Sequence, residues 1–323
     1  TNLWMSADDG ATWRKIWSEQ TTIEYASFST DGSKIVLEDS GSSHFYRSTD
    51  GGQSWVANYS MAAAIFSPDG SFLVGCSVSG GAYTTYISTN DGRHNWTQKG
   101  TNNVSCPEYV FNNGTLIARS GGDMAKSTDY GQTWTETSNV LNVSGIASFS
   151  NNGNNIFEGD RISLDGGNHW TPSNAPIPAG YALYQTGISD DGKKLFTTVK
   201  STSSIREARL LTSVDGGRTW DSEDLSGNDA AMSNDGSKLL NIYIENNRFV
   251  YRVGTLPASQ PVTPGAGAGG TATPSTGSTS AAPNQKPGKA SGRLAETGTS
   301  TWTVGGLAAV AVAAGALVLR KRL

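Results

Sequence analysis

Short apolar runs and polar turns alternate along most of the chain, and two such patterns recur. The first is an apolar residue, a polar turn and a β-rich run. It appears as FSTDGSKIVL at Phe28, FSPDGSFLVG at Phe66, FNNGTLIA at Phe111, FSNNGNNIF at Phe149, ISDDGKKLF at Ile188 and MSNDGSKLL at Met232. The second reads Ser-x-Asp-x-Gly-x-x-Trp and occurs as SADDGATW from Ser6, STDGGQSW from Ser48, STDYGQTW from Ser127, SLDGGNHW from Ser163 and SVDGGRTW from Ser213. A further copy, STNDGRHNW from Ser88, has Asn90 in place of Asp and an extra residue before Trp96, which predicts a distorted turn. The two patterns alternate with a period of about 40 residues, and Asp-Gly or Asn-Gly between apolar runs is the strongest short-range signal of a β-hairpin. Each period then supplies two hairpins and four strands, the content of one β-propeller blade. The expected fold is all-β, with four-stranded blades over residues 1–254 and no long helix there.

The residue types of the second pattern have a folding explanation. An Asp side chain accepts hydrogen bonds from turn amides, and Gly takes the positive φ that closes the hairpin. The Trp follows at the start of the outer strand, where its ring is expected to be buried between adjacent sheets. Asp8 with Trp13, Asp50 with Trp55, Asp129 with Trp134, Asp165 with Trp170 and Asp215 with Trp220 are therefore assigned to structure. Carboxylates spread around a ring cannot converge on one substrate, and their spacing lacks the oxygen pattern of a calcium loop.

These turns resemble the Asp-box, or BNR, repeats of sialidases, sortilin-type receptors and several secreted glycosidases, over about three quarters of the chain. The resemblance implies a propeller with the boxes between third and fourth strands, on the face away from any substrate. It does not imply an activity, because such repeats occur in propellers of very different function. Five complete units run from about residue 22 to 222, flanked by an N-terminal half-blade and by a piece from Ala230 to Thr255 that has strands but no box. Joining the two ends gives six blades; a missing N-terminal portion gives seven or more. Leu3 to Ser6 reads as a strand in mid-blade, so the chain is expected to be N-terminally incomplete.

Composition narrows the function classes. Hydrophobic residues make up 36% and charged residues 16%, and the net charge of -4 offers no basic field for nucleic acid. The His are scattered, and Cys76 and Cys106 lack the paired spacing of a zinc site or a redox motif, so neither metal nor cofactor is expected. The two cysteines are either one disulfide between neighbouring blades or two buried thiols.

Residues 255–293 are Pro, Gly, Ala, Ser and Thr with almost no large apolar side chain, the composition of a disordered tether. Behind it come Leu294, Ala295, Glu296, Thr297 and Gly298, an apolar run over 302–319, and Arg320-Lys321-Arg322-Leu323. A run of about 18 apolar residues just spans a bilayer core as a helix, with the basic end held in the cytoplasm. This order is similar to a sortase sorting signal, with Ala295 where the commonest form has Pro, the form associated with actinobacterial housekeeping sortases. The resemblance implies cleavage between Thr297 and Gly298 and amide linkage of Thr297 to wall peptidoglycan on a Gram-positive surface. The implied partners are sortase and peptidoglycan, with membrane contact through the C-terminal segment only.

Any ligand, a surface glycan or a protein, is expected on the rim opposite the boxes. That rim is expected to hold Glu38, Asp39, His44, Asp123, Glu158, Asp160, Tyr181, Lys200, Arg206 and Glu207, with Pro172 to Tyr184 as a contact loop. A sialidase would need three convergent arginines, for which Arg119, Arg161 and Arg206 are the candidates, but no Arg-Ile-Pro-like segment is present. Two functions follow: a non-catalytic binding or display module, or a surface exo-sialidase-like glycoside hydrolase.

Overall fold

Every hairpin signal falls on a turn between antiparallel strands. The computed structural model describes residues 2–8, 11–19, 21, 23–39, 44–93, 95–120, 123–136, 147–204, 207–225, 229–245, 248–256, 302–303 and 308–312. β1 (Asn2–Ser6) and β2 (Arg14–Trp17) form one hairpin. Five four-stranded antiparallel sheets follow in sequence order. They are β3 (Ile23–Phe28), β4 (Ile35–Asp39), β5 (Phe45–Ser48) and β6 (Val56–Asn58); then β7 (Ala63–Phe66), β8 (Leu73–Ser79), β9 (Ala82–Ser88) and β10 (Thr97–Asn102). The third comprises β11 (Tyr109–Val110), β12 (Leu116–Ser120), β13 (Asp123–Ser127) and β14 (Thr135–Glu136); the fourth β15 (Ser148–Phe149), β16 (Ile156–Phe157), β17 (Arg161–Ser163) and β18 (Thr171–Pro172). The fifth comprises β19 (Tyr181–Ile188), β20 (Leu195–Ser201), β21 (Ala208–Ser213) and β22 (Asp221–Leu225). A last sheet holds β23 (Asp229–Met232), β24 (Lys238–Glu245) and β25 (Arg248–Thr255), with β26 (Trp302–Thr303) at its outer edge.

The turns between first and second strands are joined blade to blade. Thr30 N donates to Pro68 O (2.6 Å), Asp69 N to Asn112 Oδ1 (2.9 Å) and Asn112 N to Asn151 O (3.3 Å). Asn151 N donates to Asp190 Oδ1 (2.7 Å), Asp190 N to Asn234 O (2.7 Å), and Asn234 Nδ2 returns to Thr30 Oγ1 (3.3 Å). Six turns thus form a closed girdle, and the chain is a β-propeller. The Ser-x-Asp turns lie beside this girdle on the same face, because Gly51 N donates to Ser33 O, Gly166 N to Asn154 O and Gly216 N to Lys193 O, each at 2.8 Å. Alternation of strand direction then places the second-to-third-strand loops and the connections between blades on the opposite face.

The two ends do not merge into one blade. The β1–β2 turn is of the Ser-x-Asp kind, so β1 is a third strand, and β25 is also a third strand. They lie in separate sheets, giving seven sheets among the described residues, of which six contribute a turn to the girdle. The open edge of β1 is filled by β27 (Ala308–Val312), paired in parallel. This differs from the membrane-spanning helix expected over 302–319: its described residues, β26 and β27, are strands, and the others lie outside the described residues. An unpaired strand edge presents a row of N–H and C=O groups that an apolar Ala/Val run can satisfy, which accounts for the extended conformation. No helix among the described residues is long and apolar enough to cross a membrane. Of the expected tether only Thr255 and Leu256 are described, and Leu294 to Gly298 lie outside the described residues.

Burial is arranged as wedges between consecutive blades. Leu3, Met5, Ile16 and Trp17 pack on Phe28, Ile35 and Leu37, and Phe157 and Ile162 pack on Ile188 and Leu195. Trp55, Trp134, Trp170 and Trp220 sit at the margins of these wedges, partly buried and packed against them. Their indole N–H groups explain the position, since each must reach a carbonyl. Trp55 Nε1 donates to Ile16 O (2.8 Å) and Trp220 Nε1 to Ser173 O (2.9 Å), in each case crossing from one blade to the one before it. Cys76, on β8, is bonded to Cys106 in the connection leading to β11, which decides the cysteine question in favour of a disulfide between blades.

Candidate functional site

The Ser-x-Asp turns are closed units. In the β5–β6 turn, Ser48 Oγ donates to Asp50 Oδ1 (2.7 Å) and accepts from Gly52 N (2.7 Å). Asp50 also accepts from Ser54 N at 2.9 Å and Ser54 Oγ at 2.5 Å. Asp129, Asp215 and Asp8 repeat the arrangement with Thr133, Thr219 and Thr12, and Asp165 with His169. These bonds favour the ionised form: the Ser54 contacts hold the Asp50 carboxyl well below the usual range, and the His169 N–H with its ring brings Asp165 to about 2. Trp13 and Trp170 are half-buried like the others. In the turn carrying Asn90, Asp91 (φ 51°) takes the left-handed conformation that Gly51, Tyr130, Gly166 and Gly216 take at the same place in the other turns, and the departure is the positive φ of Asn95 (61°).

The first-strand turns carry the same device, which the sequence reading passed over. Ser29 Oγ donates to Asp31 Oδ1 (2.6 Å), Ser67 to Asp69 (2.7 Å), Ser150 to Asn152 (2.8 Å) and Ser189 to Asp191 (2.6 Å). The visible signal was a Ser two residues before the Asp or Asn in both patterns. With both turn sets closed on themselves, the side chains of the opposite face are where chemistry can gather.

Three groupings occur there. Along the β2 to β6 seam, His44 Nε2 lies 3.3 Å from Asp39 Oδ2 and 3.2 Å from the Tyr46 hydroxyl. The Tyr46 ring is 4.6 Å from Trp17, and the exposed Tyr59 ring is 5.1 Å from His44. Burial, then the charge of Asp39, raises the Tyr46 pKa and keeps it a hydroxyl. Glu38 turns away from this group and accepts from Ala64 N at 3.0 Å.

In the fourth blade, Glu158 is bonded to Arg161, whose guanidinium lies 4.2 Å from the centre of the Trp170 ring. Burial raises the Glu158 pKa, and its second oxygen is buried without a hydrogen-bond partner. Asp160 accepts through its backbone carbonyl from Ser173 N. On the fifth blade, Lys200 Nζ sits 3.0 Å from the Tyr184 ring centre, and the Tyr181 hydroxyl faces Glu207 at 3.5 Å. The segment from Pro172 to Tyr184 is tied down at both ends, by Ser173 Oγ to Gly159 O and by Thr202 N to Gly180 O. The Asp123 side chain and Arg206 lie outside the described residues.

Two of the candidate arginines are engaged within their own blades, Arg161 with Glu158 and Arg119 with Glu108 at 2.6 Å. Neither is presented as part of a shared carboxylate clamp. Trp17 and Tyr46 were not singled out from sequence because they meet only across a blade seam, and Tyr59 was not because it joins His44 through the pairing of β5 with β6. Among the described residues no group of three His, Cys, Asp or Glu side chains gathers as a metal set would.

No protein-family model matches the chain, and no curated protein matches it in sequence. Solved structures do. The GH74 xyloglucanase of Xanthomonas campestris is similar with a TM-score of 0.51 and 14% identity, covering 76% of this chain and 45% of that enzyme. A putative TolB from Agrobacterium tumefaciens aligns with a TM-score of 0.45 and 16% identity over 70% of this chain and 87% of that one. An oligogalacturonate lyase in complex with manganese aligns with a TM-score of 0.47 and 11% identity over 70% and 72%. The chain spans less than half the length of the xyloglucanase. At such identities the likeness is one of fold.

Proposed function

We propose that this chain is a sortase-anchored cell-surface β-propeller, a non-catalytic module that presents its loop face to a glycan or protein ligand. The observation that carries the reading is the polarity of the two faces. Girdle and Ser-x-Asp turns satisfy their polar groups internally on one face, and the opposite face gathers aromatic, cationic and carboxylate side chains. Anchoring is supported by the order of the C-terminal residues: a tether over 255–293, Leu294-Ala295-Glu296-Thr297-Gly298, an apolar run and a basic end. In this reading Ala308–Val312 leaves the β1 edge when the run enters the bilayer. The engagement of Arg119 and Arg161 with their own carboxylates weighs against the sialidase-like alternative.

Thr297→Ala tests the anchor, because the acyl intermediate forms at the Thr297 carbonyl. The variant is expected in the membrane fraction with its tail intact. Thr297→Ala protein that still resisted boiling detergent and came off only with muralytic enzyme would refute sorting. Hydrolysis of a fluorogenic sialoside by the purified chain would refute the non-catalytic assignment.

A further inference from the structure

We propose that the seam between β2 and the β3–β6 blade is a carbohydrate subsite, in which the Tyr59 ring stacks on a β-linked pyranose and the Asp39–His44 pair bonds its hydroxyl groups. The inference deepens the binding reading above by naming a place and a ligand class. Tyr59 follows β6 and is 75% exposed, the most exposed large hydrophobic side chain among the described residues. It does not stand alone. Its ring contacts His44, whose imidazole is held by Asp39 and by the Tyr46 hydroxyl, and Tyr46 rests on buried Trp17.

The result is one accessible aromatic face on a rigid footing, flanked by polar groups whose side chains are only 11% and 16% exposed. Ligand sites combine apolar contact area with a few placed polar groups, and this seam has both. The scale selects the ligand. A protein partner needs a buried area of roughly 800 Å² per side, far more than one ring supplies, whereas a single pyranose covers one ring. A β-linked sugar with equatorial hydroxyls presents a C–H face to the tyrosine while its edge hydroxyls reach a carboxylate and an imidazole. These two groups supply an acceptor and a group able to donate or accept.

The test is saturation-transfer NMR and titration of the full chain in detergent with cellotetraose and chitotetraose. One of the two is expected to bind. Tyr59→Ala should weaken it about tenfold, the order of one lost aromatic contact, whereas Tyr59→Phe should retain it within about threefold. Asp39→Asn should weaken it, and Tyr184→Ala on the fifth blade should not. No binding of either sugar at millimolar concentration, or Tyr59→Ala binding like the parent, overturns the subsite. Cells whose wall-linked protein still adheres to a surface after Tyr59→Ala would overturn the subsite while leaving the display function standing.

Discussion

Gly52 offers a direct measure of how firmly the β1–β2 hairpin is held on the first complete blade. Its φ is +84°, and a Cβ built there would lie 2.7 Å from Ile16 Cβ on β2. Ile16 is itself buried, so it cannot swing into solvent. Gly81 has nearly the same backbone, φ +82°, but a Cβ there meets nothing within 4 Å. Both Ala variants incur the left-handed cost of roughly 1–2 kcal/mol, and only Gly52→Ala adds an overpacking cost of about 1–3 kcal/mol. Gly52→Ala is thus expected to lose about 2–5 kcal/mol, and Gly81→Ala about 1–2. Urea denaturation followed by tryptophan fluorescence gives both values from midpoint and slope. Equal losses would refute the packing of β2 against the β5–β6 turn, because backbone strain alone would then explain both.

Ser213→Ala removes the hydroxyl that accepts from the Gly217 N–H at 2.9 Å inside a buried turn, and should cost roughly 1–3 kcal/mol by the same denaturation assay. Replacing Cys76 and Cys106 together by Ala opens a loop with a sequence separation of 30, which at the chain-entropy rate costs roughly 3.6 kcal/mol. A loss below about 1 kcal/mol would mean the blades need no staple. Acid stability follows from the turn carboxylates: Asp50, Asp129, Asp165 and Asp215 all sit below their ordinary value of 3.8 when folded. The unfolded chain therefore takes up protons first, so this stability is complete above about pH 4 and is lost as pH falls toward 2. The urea midpoint should be flat from pH 7 to about 5 and drop steeply below about 4, and a midpoint insensitive to acid would contradict the closed-turn geometry.

The blades were legible because their information is local. Asp-Gly after Ser29 or Ser48 specifies a turn from neighbours a few residues apart, and repetition then specifies the ring. What escaped depends on the radius of that ring. Trp17 reaches Tyr46 only because two sheets meet at a seam, and His44 reaches Tyr59 through the register of β5 on β6, neither of which any spacing in sequence encodes. The partners of two indoles were hidden for a similar reason: Trp55 Nε1 reaches Ile16 O and Trp220 Nε1 reaches Ser173 O, both on the preceding blade. The run at 302–319 reads as a spanning helix by hydropathy. Hydropathy cannot register the open edge of β1, which offers part of the same residues a different set of backbone partners.

The first-strand turns also bear on how long such a protein keeps its covalent integrity. Two of them contain Asn-Gly, at Asn113-Gly114 and Asn152-Gly153, where the others have Asp-Gly. Asn-Gly is the sequence most prone to deamidation, which begins when the glycine nitrogen attacks the side-chain carbonyl. Here that nitrogen is occupied, Gly114 N by Phe111 O at 3.0 Å and Gly153 N by Ser150 O at 2.9 Å. The side-chain oxygens are held too, by Thr115 N at 3.0 Å and Asn154 N at 2.9 Å. Nucleophile and electrophile are thereby kept from the attack geometry. Direct hydrolysis to Asp would restore the residue that Asp31, Asp69, Asp191 and Asp235 already use at this position, so the blade turns resist the cyclic route and tolerate the product of the direct one.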